Sequence, residues 1–340
     1  MKAAVFYGPG DVRLEDVDRP SAGVGDVVIR VEAALSCGTD LKTFRRGHPL
    51  MRPPRVMGHE YSGVVVEAGE DSGFEVGDRV AGVNSGPCMS CKYCSRGREN
   101  LCESLEETLI GFTSNGAFAE YCLIPRRVAR VNLLKLASNT PFEEAAFLEP
   151  LSCVIHGLNL LELNVAKIAI LGSGSIGLLH LQAVKQLSPD ARVSVFDPHW
   201  EKLSLAEKLG ADRVVNIREE SFSKYERMFD LVIEAVGRVE AWEAAARLVD
   251  RGGTALFFGG CPRGTTISLD TYRVHYEELR LLGAFHHTPR DVKRALQLIE
   301  SGRMRLRELI GMTINLDRIG EAFQLLQRGE AAKILIKPNG

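Results

Sequence analysis

Nowhere in its 340 residues does the chain carry a run approaching the ~18 apolar residues that a membrane-crossing helix requires. No bilayer span is expected, and the opening stretch MKAAVFYGPGDVRLE lacks the apolar core of a secretory signal, so the expected location is cytoplasmic. Charge of one sign is missing too: 42 basic side chains face 44 acidic ones, for a net -2, with no long block of either. That balance argues against nucleic acid or an anionic membrane as partner. The short exceptions, Arg45 with Arg46 and Arg126 with Arg127, read as solvated surface. Internal repeats and low-complexity tracts are also absent.

What is present is an ordinary globular composition, 45% hydrophobic and 25% charged, in a chain too long for one core, so two domains are expected. Residues 1–147 show short period-two or β-branched strands (AAVFY, DVVIRVEAAL, YSGVVVEAG, DRVAGV, FAEYCLIP) broken by glycine and proline, the texture of an all-β, barrel-like domain. In residues 148–285 the texture changes to strand, helix, strand. KIAILG precedes a helix from Ile176 to about Leu187, VSVFD one from about Glu201 to Leu209, and DLVIEAVG precedes AWEAAARLV; TALFFGG and LRLLGAF follow. Apolar strands alternating with amphipathic helices predict an α/β unit, a parallel sheet covered on both faces. FEEAAFLEPLSCVIHGLNLL, at the join, reads as helix interrupted at Glu149-Pro150. Residues 286–340 hold two further helices, near 291–301 and 316–326, and a last strand, KILIK.

Cys88, Cys91, Cys94 and Cys102 stand in the spacing C-x2-C-x2-C-x7-C. Two residues between thiolates let one turn of chain present a close pair to a tetrahedral zinc ion at roughly 2.3 Å. Two disulfides are the alternative, but in a reducing cytoplasm clustered cysteines more often hold metal. A closed structural zinc lobe over about 84–104 is therefore expected.

Gly172, Gly174 and Gly177 supply a G-x-G-x-x-G pattern between an apolar strand and a helix opened by Ser175 and Ile176. In that context the first glycine permits the tight turn, the second lets backbone approach a pyrophosphate, and the third packs helix on strand, with the helix N-terminus toward the phosphates. Twenty residues beyond Gly177, Asp197 ends the next strand, placed to accept hydrogen bonds from a ribose diol. A 2'-phosphate there would meet a like charge, and His199 and Trp200 stand where an NADP site often shows arginine; NAD is the expected cofactor. A methyltransferase reading of the same glycines leaves the cysteine lobe unexplained.

Cys37 in ALSCGTD, His59 and Glu60 in MGHEYSG, and Glu149 in FLEPLS remain as candidate ligands of a second, open metal site. In order along the chain stand Cys37-Gly38-Thr39-Asp40, Gly58-His59-Glu60-Tyr61-Ser62-Gly63, the four-cysteine lobe, Glu149-Pro150 and the glycine fingerprint. This succession resembles the medium-chain, zinc-dependent alcohol dehydrogenase superfamily almost end to end, in its sorbitol- and threonine-dehydrogenase-like branch. The resemblance implies a GroES-like barrel domain plus a Rossmann domain, with residues 286–340 returning to the first. It implies two zinc ions, the catalytic one held by Cys37, His59 and Glu149, with Glu60 either coordinating or exchanging with water. Thr39 would take the alcohol proton. Zinc in an open site lowers the pKa of bound alcohol or water toward ~7, and hydride then passes to the nicotinamide ring.

The chain departs from the family pattern at Lys42, where many members carry a relay histidine; desolvated Lys42, water or His48 remain open for that step. Asn84, where ethanol-type relatives carry an aromatic ring, and the Glu-Pro third ligand favour a hydroxylated substrate: a polyol, sugar alcohol or hydroxy amino acid. The family usually forms homodimers or homotetramers through Rossmann sheet edges. The expected activity is thus an NAD-dependent secondary-alcohol dehydrogenase. The alternatives are an NADPH-dependent aldehyde or ketone reductase and a non-catalytic nucleotide-binding protein of the same fold.

Overall fold

The computed structural model describes residues 1–340. They divide into two compact units, one made of Met1–Ser152, His287–Gly302 and Leu306–Gly340, the other of Cys153–His286 with Arg303–Arg305.

The first unit is organised by the strand Val27–Leu35, whose run VVIRVEAAL suits a pleated, buried position. Along one edge it pairs antiparallel with Glu60–Ala68. Its other edge is shared, the first half taken by Tyr121–Ile124 and the last by Ile334–Lys337. The full sheet runs Met312–Asn315, Ile334–Lys337, Val27–Leu35, Glu60–Ala68, Arg79–Gly82, Leu133–Lys135, and a smaller sheet joins Asp11–Asp16, Lys2–Gly8 and Arg55–Val56. Phe6, Ile29, Tyr61, Phe118, Phe323 and Ile336 meet in the core. The C-terminal strand is thus part of the sheet that the N-terminal strands build.

The second unit is a six-stranded parallel sheet in the order Arg213–Asn216, Arg192–Asp197, Lys167–Leu171, Phe229–Glu234, Val249–Phe257, Arg280–Gly283. Numbered along the chain that order is 3-2-1-4-5-6, the dinucleotide-binding Rossmann arrangement. Apolar strand residues such as Ile168, Ile170, Val193, Val195, Val232 and Leu256 are buried because helices cover both faces.

Two local expectations differ from the structure. The helix break falls at Ala146 and Phe147, between helices Phe142–Ala145 and Leu148–Asn159. Pro150 lies within the first turn of the second helix, where its missing N–H costs nothing. Strand Arg213–Asn216, within ADRVVNI, has no counterpart among the strands expected from sequence; four residues on the sheet's edge give too short a pattern to stand out.

Gly63 shows how closely the first sheet is packed: a Cβ there would lie 2.1 Å from the Arg30 carbonyl oxygen. Gly63→Ala is therefore expected to lower unfolding stability by about 1–3 kcal/mol. Gly320 meets nothing within 4 Å, so Gly320→Ala in the helix Ile319–Arg328 is expected to leave stability unchanged or raise it. Urea denaturation midpoints of the two variants check both.

Candidate metal and dinucleotide sites

The pairing of neighbouring strands brings Cys37 and His59 together. Leu35 lies opposite Glu60 in the antiparallel register, so Cys37, just past one strand, and His59, just before the other, emerge at the same end of the sheet. Ligand atoms of Cys37, His59 and Glu60 lie within 4.8 Å of one another. Cys37 also caps the helix Gly38–Arg46, and Asp40 closes the cap by accepting the Cys37 N–H at 2.8 Å through Oδ2. The other carboxylate oxygen, Oδ1, stands 3.2 Å from Nδ1 of the buried His59. One carboxylate thereby contacts two candidate ligands, and Nε2 is the His59 nitrogen left for a cation. Burial disfavours charge on His59, but Asp40 more than offsets this and raises its pKa well above the usual range. A cation at this position requires the imidazole neutral, so binding releases a proton.

Glu60 is wholly buried and accepts two hydrogen bonds from Lys333 Nζ, at 2.7 and 2.5 Å. Lys333 stands just before the strand Ile334–Lys337, which pairs with Ala34 and Leu35 and so enters the same sheet end. Burial raises the Glu60 pKa, with the Lys333 ammonium acting in the opposite sense. For Lys333 burial would lower the pKa, but Glu60 and the nearby Cys37 and Glu149 hold it above its usual value. Neither Lys333 nor the double duty of Asp40 was visible in the sequence. Lys333 lies 273 residues from its partner, with only an apolar strand beside it as a signal.

Glu149, buried in the first turn of helix Leu148–Asn159, is not one of the Cys37 group. Its carboxylate lies within 4.8 Å of a His287 nitrogen, yet close enough to Glu60 to contribute to that residue's raised pKa. Thr39 is half-buried in the first turn after Cys37, whereas Lys42 is exposed. His48 accepts the Leu50 N–H on Nδ1 at 3.3 Å, and its ring lies 4.9 Å from Phe112, which in turn lies 5.2 Å from His59. Burial and the His59 charge lower the His48 pKa. Arg45 donates to the Gln327 carbonyl, away from Cys37, and buried Asn84 accepts the Ile110 N–H on its backbone oxygen.

Cys88, Cys91, Cys94 and Cys102 converge within 4.8 Å, and none forms a disulfide. Sulfur separations of 3.9 Å (Cys88 to Cys94) and 3.6 Å (Cys91 to Cys94) match the ~3.8 Å edge of a tetrahedron built on zinc–sulfur bonds of ~2.3 Å. The N–H groups of Ser90 and Cys91 point at Cys88 Sγ, and that of Cys88 at Cys102 Sγ. Hydrogen bonds from Ser90 bring the Cys88 pKa down to about 5, suiting a thiolate, while burial pushes Cys94 up to about 12 when no cation shares the site.

In the second unit Gly172 has φ +97, and a Cβ on Gly177 would lie 1.9 Å from the Gly172 carbonyl oxygen, so these two glycines are dictated by the turn and by helix packing. Gly174 faces open space, and the buried Ser173 hydroxyl has no protein partner. A cradle with a bare glycine, an unsatisfied hydroxyl and the N-terminus of helix Ser175–Leu187 fits a pyrophosphate. Asp197 ends the adjacent strand, accepting the Ser173 N–H at 2.9 Å.

Comparison with known proteins gives the family. Residues 23–134 match the model of the alcohol dehydrogenase GroES-like domain, and residues 175–301 match that of the zinc-binding dehydrogenase domain. Erythritol/L-threitol dehydrogenase of Mycolicibacterium smegmatis is 32% identical over 362 residues, covering 99% of this chain and 98% of that one. The chain belongs to the medium-chain zinc-dependent alcohol dehydrogenase superfamily. Sorbitol dehydrogenase of Bombyx mori is likewise 32% identical, covering 98% and 97% of the two chains. Among solved structures, a zinc-binding dehydrogenase of Sinorhizobium meliloti 1021 bound to NADP superposes with a TM-score of 0.92 at 31% identity, covering 99% of each chain.

In this dehydrogenase, removing the Lys333 ammonium leaves Glu60 buried without its counter-cation. Lys333→Met is expected to cost about 3–5 kcal/mol at pH 8. Glu60 is already raised in the fold, and the variant raises it further above its unfolded value of ~4.3. A raised acid favours the fold while protonated, and that contribution is lost as pH rises through the folded pKa. The destabilisation relative to the unmutated chain should therefore be smaller at pH 5 than at pH 8. Urea unfolding at the two pH values gives the comparison.

Proposed function

We propose that the protein oxidises a secondary alcohol of polyol, sugar-alcohol or hydroxy amino acid type, passing hydride to NAD. The observation that carries this is the convergence of Cys37, His59 and Glu60 at one sheet end, with Asp40 behind the first two. A thiolate, an imidazole and a carboxylate form a donor set suited to zinc that leaves room for a substrate oxygen. Cys37 and His59 would hold the metal, with Glu149 as third protein ligand. Glu60 would stay with Lys333 or exchange onto the ion. Zinc there would act as a Lewis acid toward the alcohol oxygen.

This chain's residues supply orientation and proton handling. Asp40 fixes the His59 ring, and Thr39, in the first turn beside Cys37, would hydrogen-bond the alcohol. Exposed Lys42 is poorly placed to receive the proton, so His48, half-buried against Phe112, is the better candidate. Gly172, Gly174, Ser175, Ile176 and Gly177 would cradle the pyrophosphate, and Asp197 the ribose. Cys88, Cys91, Cys94 and Cys102 would hold a second, structural zinc. Relatives named as erythritol/L-threitol, sorbitol and L-threonine 3-dehydrogenases favour a substrate with a hydroxyl or amine beside the reacting carbon. Eight free cysteines suit a reducing, cytoplasmic setting, and the strand Arg280–Gly283 at the sheet's end offers the edge for a homodimer or homotetramer.

Following nicotinamide absorbance across tetritols, hexitols, simple alcohols and threonine tests the substrate class; turnover of simple alcohols alone would contradict it. Cys37→Ser should lower kcat at least about a thousandfold with the melting temperature nearly intact. Cys91→Ser should instead lower the melting temperature, because its ion is a folding ligand. Equal activity of the Cys37 variant would remove the metal assignment.

A further inference from the structure

We propose that the adenosine end of the dinucleotide site admits a 2'-phosphate, so that NADP is bound as well as NAD, with Arg218 as the phosphate-binding residue and His199 as its positioning residue. This rests on the reading of Gly172–Gly177 as the pyrophosphate cradle. The sequence suggested the opposite, because Asp197 is acidic and its immediate successors carry no arginine. The cation arrives from the neighbouring strand instead.

Asp197 and Asn216 are paired in the parallel register of strands Arg192–Asp197 and Arg213–Asn216. His199 and Arg218 each lie two residues further on, so the register sets them side by side at the carboxyl edge where ligands of such sheets bind. Asn216 Oδ1 accepts the Arg218 N–H at 3.0 Å and fixes the turn. His199 bridges the pair: its Nδ1 lies 3.0 Å from Asp197 Oδ1, and its Nε2 lies 3.4 Å from Arg218 Nη2. A neutral imidazole with its proton on Nδ1 satisfies both contacts, donating to Asp197 and accepting from Arg218.

Two consequences bear on selectivity. The Asp197 carboxylate is not a bare charge facing the ribose. Oδ1 already takes the backbone N–H and the ring of His199, Oδ2 takes the Ser173 N–H, and the side chain is only 8% exposed. Its repulsion of a phosphate is correspondingly blunted, while its remaining lone pairs can still accept from a ribose hydroxyl. The Arg218 side chain, meanwhile, is exposed and paired with no carboxylate. The acidic neighbours are engaged elsewhere, Glu219 with the Trp200 indole N–H at 2.6 Å and Glu220 with the Tyr225 hydroxyl at 2.7 Å. A guanidinium held beside the ribose-binding carboxylate presents the donor fork that a phosphate ester takes.

Calorimetric titration of the purified enzyme with adenosine 2',5'-bisphosphate and with 5'-AMP tests this without relying on turnover. The bisphosphate is expected to bind at least as tightly as 5'-AMP. Arg218→Ala should cut the ratio of the two affinities about tenfold, as for loss of a charge-assisted hydrogen bond. Arg218→Lys should restore part of the ratio, and His199→Ala should reduce it about threefold with the melting temperature held. A merely structural role for either residue would move both affinities together and leave the ratio unchanged, which would overturn the assignment. Binding of 5'-AMP with none of the bisphosphate would overturn the inference while leaving the dinucleotide reading intact. Failure of both nucleotides to bind would remove that reading and this inference with it.

Discussion

The carboxylate of Asp40 is the point on which the first unit's chemistry turns. One oxygen takes the backbone N–H of Cys37 and the other faces the ring nitrogen of His59. A soft sulfur and an imidazole thereby meet from two neighbouring strands of one sheet. Strand pairing alone brings the two residues near each other; it does not fix a tautomer or a ring plane. Because the same side chain closes the N-terminal cap of the helix Gly38–Arg46, disturbing it would loosen helix and ligands together.

Around that pair the sheet delivers a third charged contact from the far end of the chain. Lys333 and Glu60 are buried together, an arrangement that hydrophobic packing would not choose, since two desolvated ions seldom add stability. Its value lies in placement. A buried carboxylate beside a candidate ion site is held by an ammonium instead of collapsing onto the cation. A cation bound beside Cys37 and His59 would compete with Lys333 for this one carboxylate.

Much of this was legible in the sequence where short-range spacing sets the chemistry. The C-x2-C repeats fix sulfur positions within a few residues, and the glycines at 172 and 177 are demanded by a turn and a helix–strand contact. The apolar strands before them announced a parallel sheet. What stayed hidden depends on register between distant segments. Lys333 meets Glu60 only because Ile334–Lys337 pairs with the end of Val27–Leu35. Arg218 reaches His199 only because Asp197 is opposite Asn216, on a four-residue edge strand with little pattern of its own. The helix break at Ala146 and Phe147 was misplaced for a simpler reason: proline in a first turn looks like an interruption until the turn's start is known.

Whether Cys37 and His59 share an ion is open to direct observation. Anomalous diffraction at the zinc edge from crystals of the purified protein should give two peaks per chain. One should lie among the sulfurs of Cys88, Cys91, Cys94 and Cys102, the other about 2.0 to 2.3 Å from Cys37 Sγ and His59 Nε2. A single peak in the cysteine lobe, from protein that still oxidises its alcohol, would contradict the account.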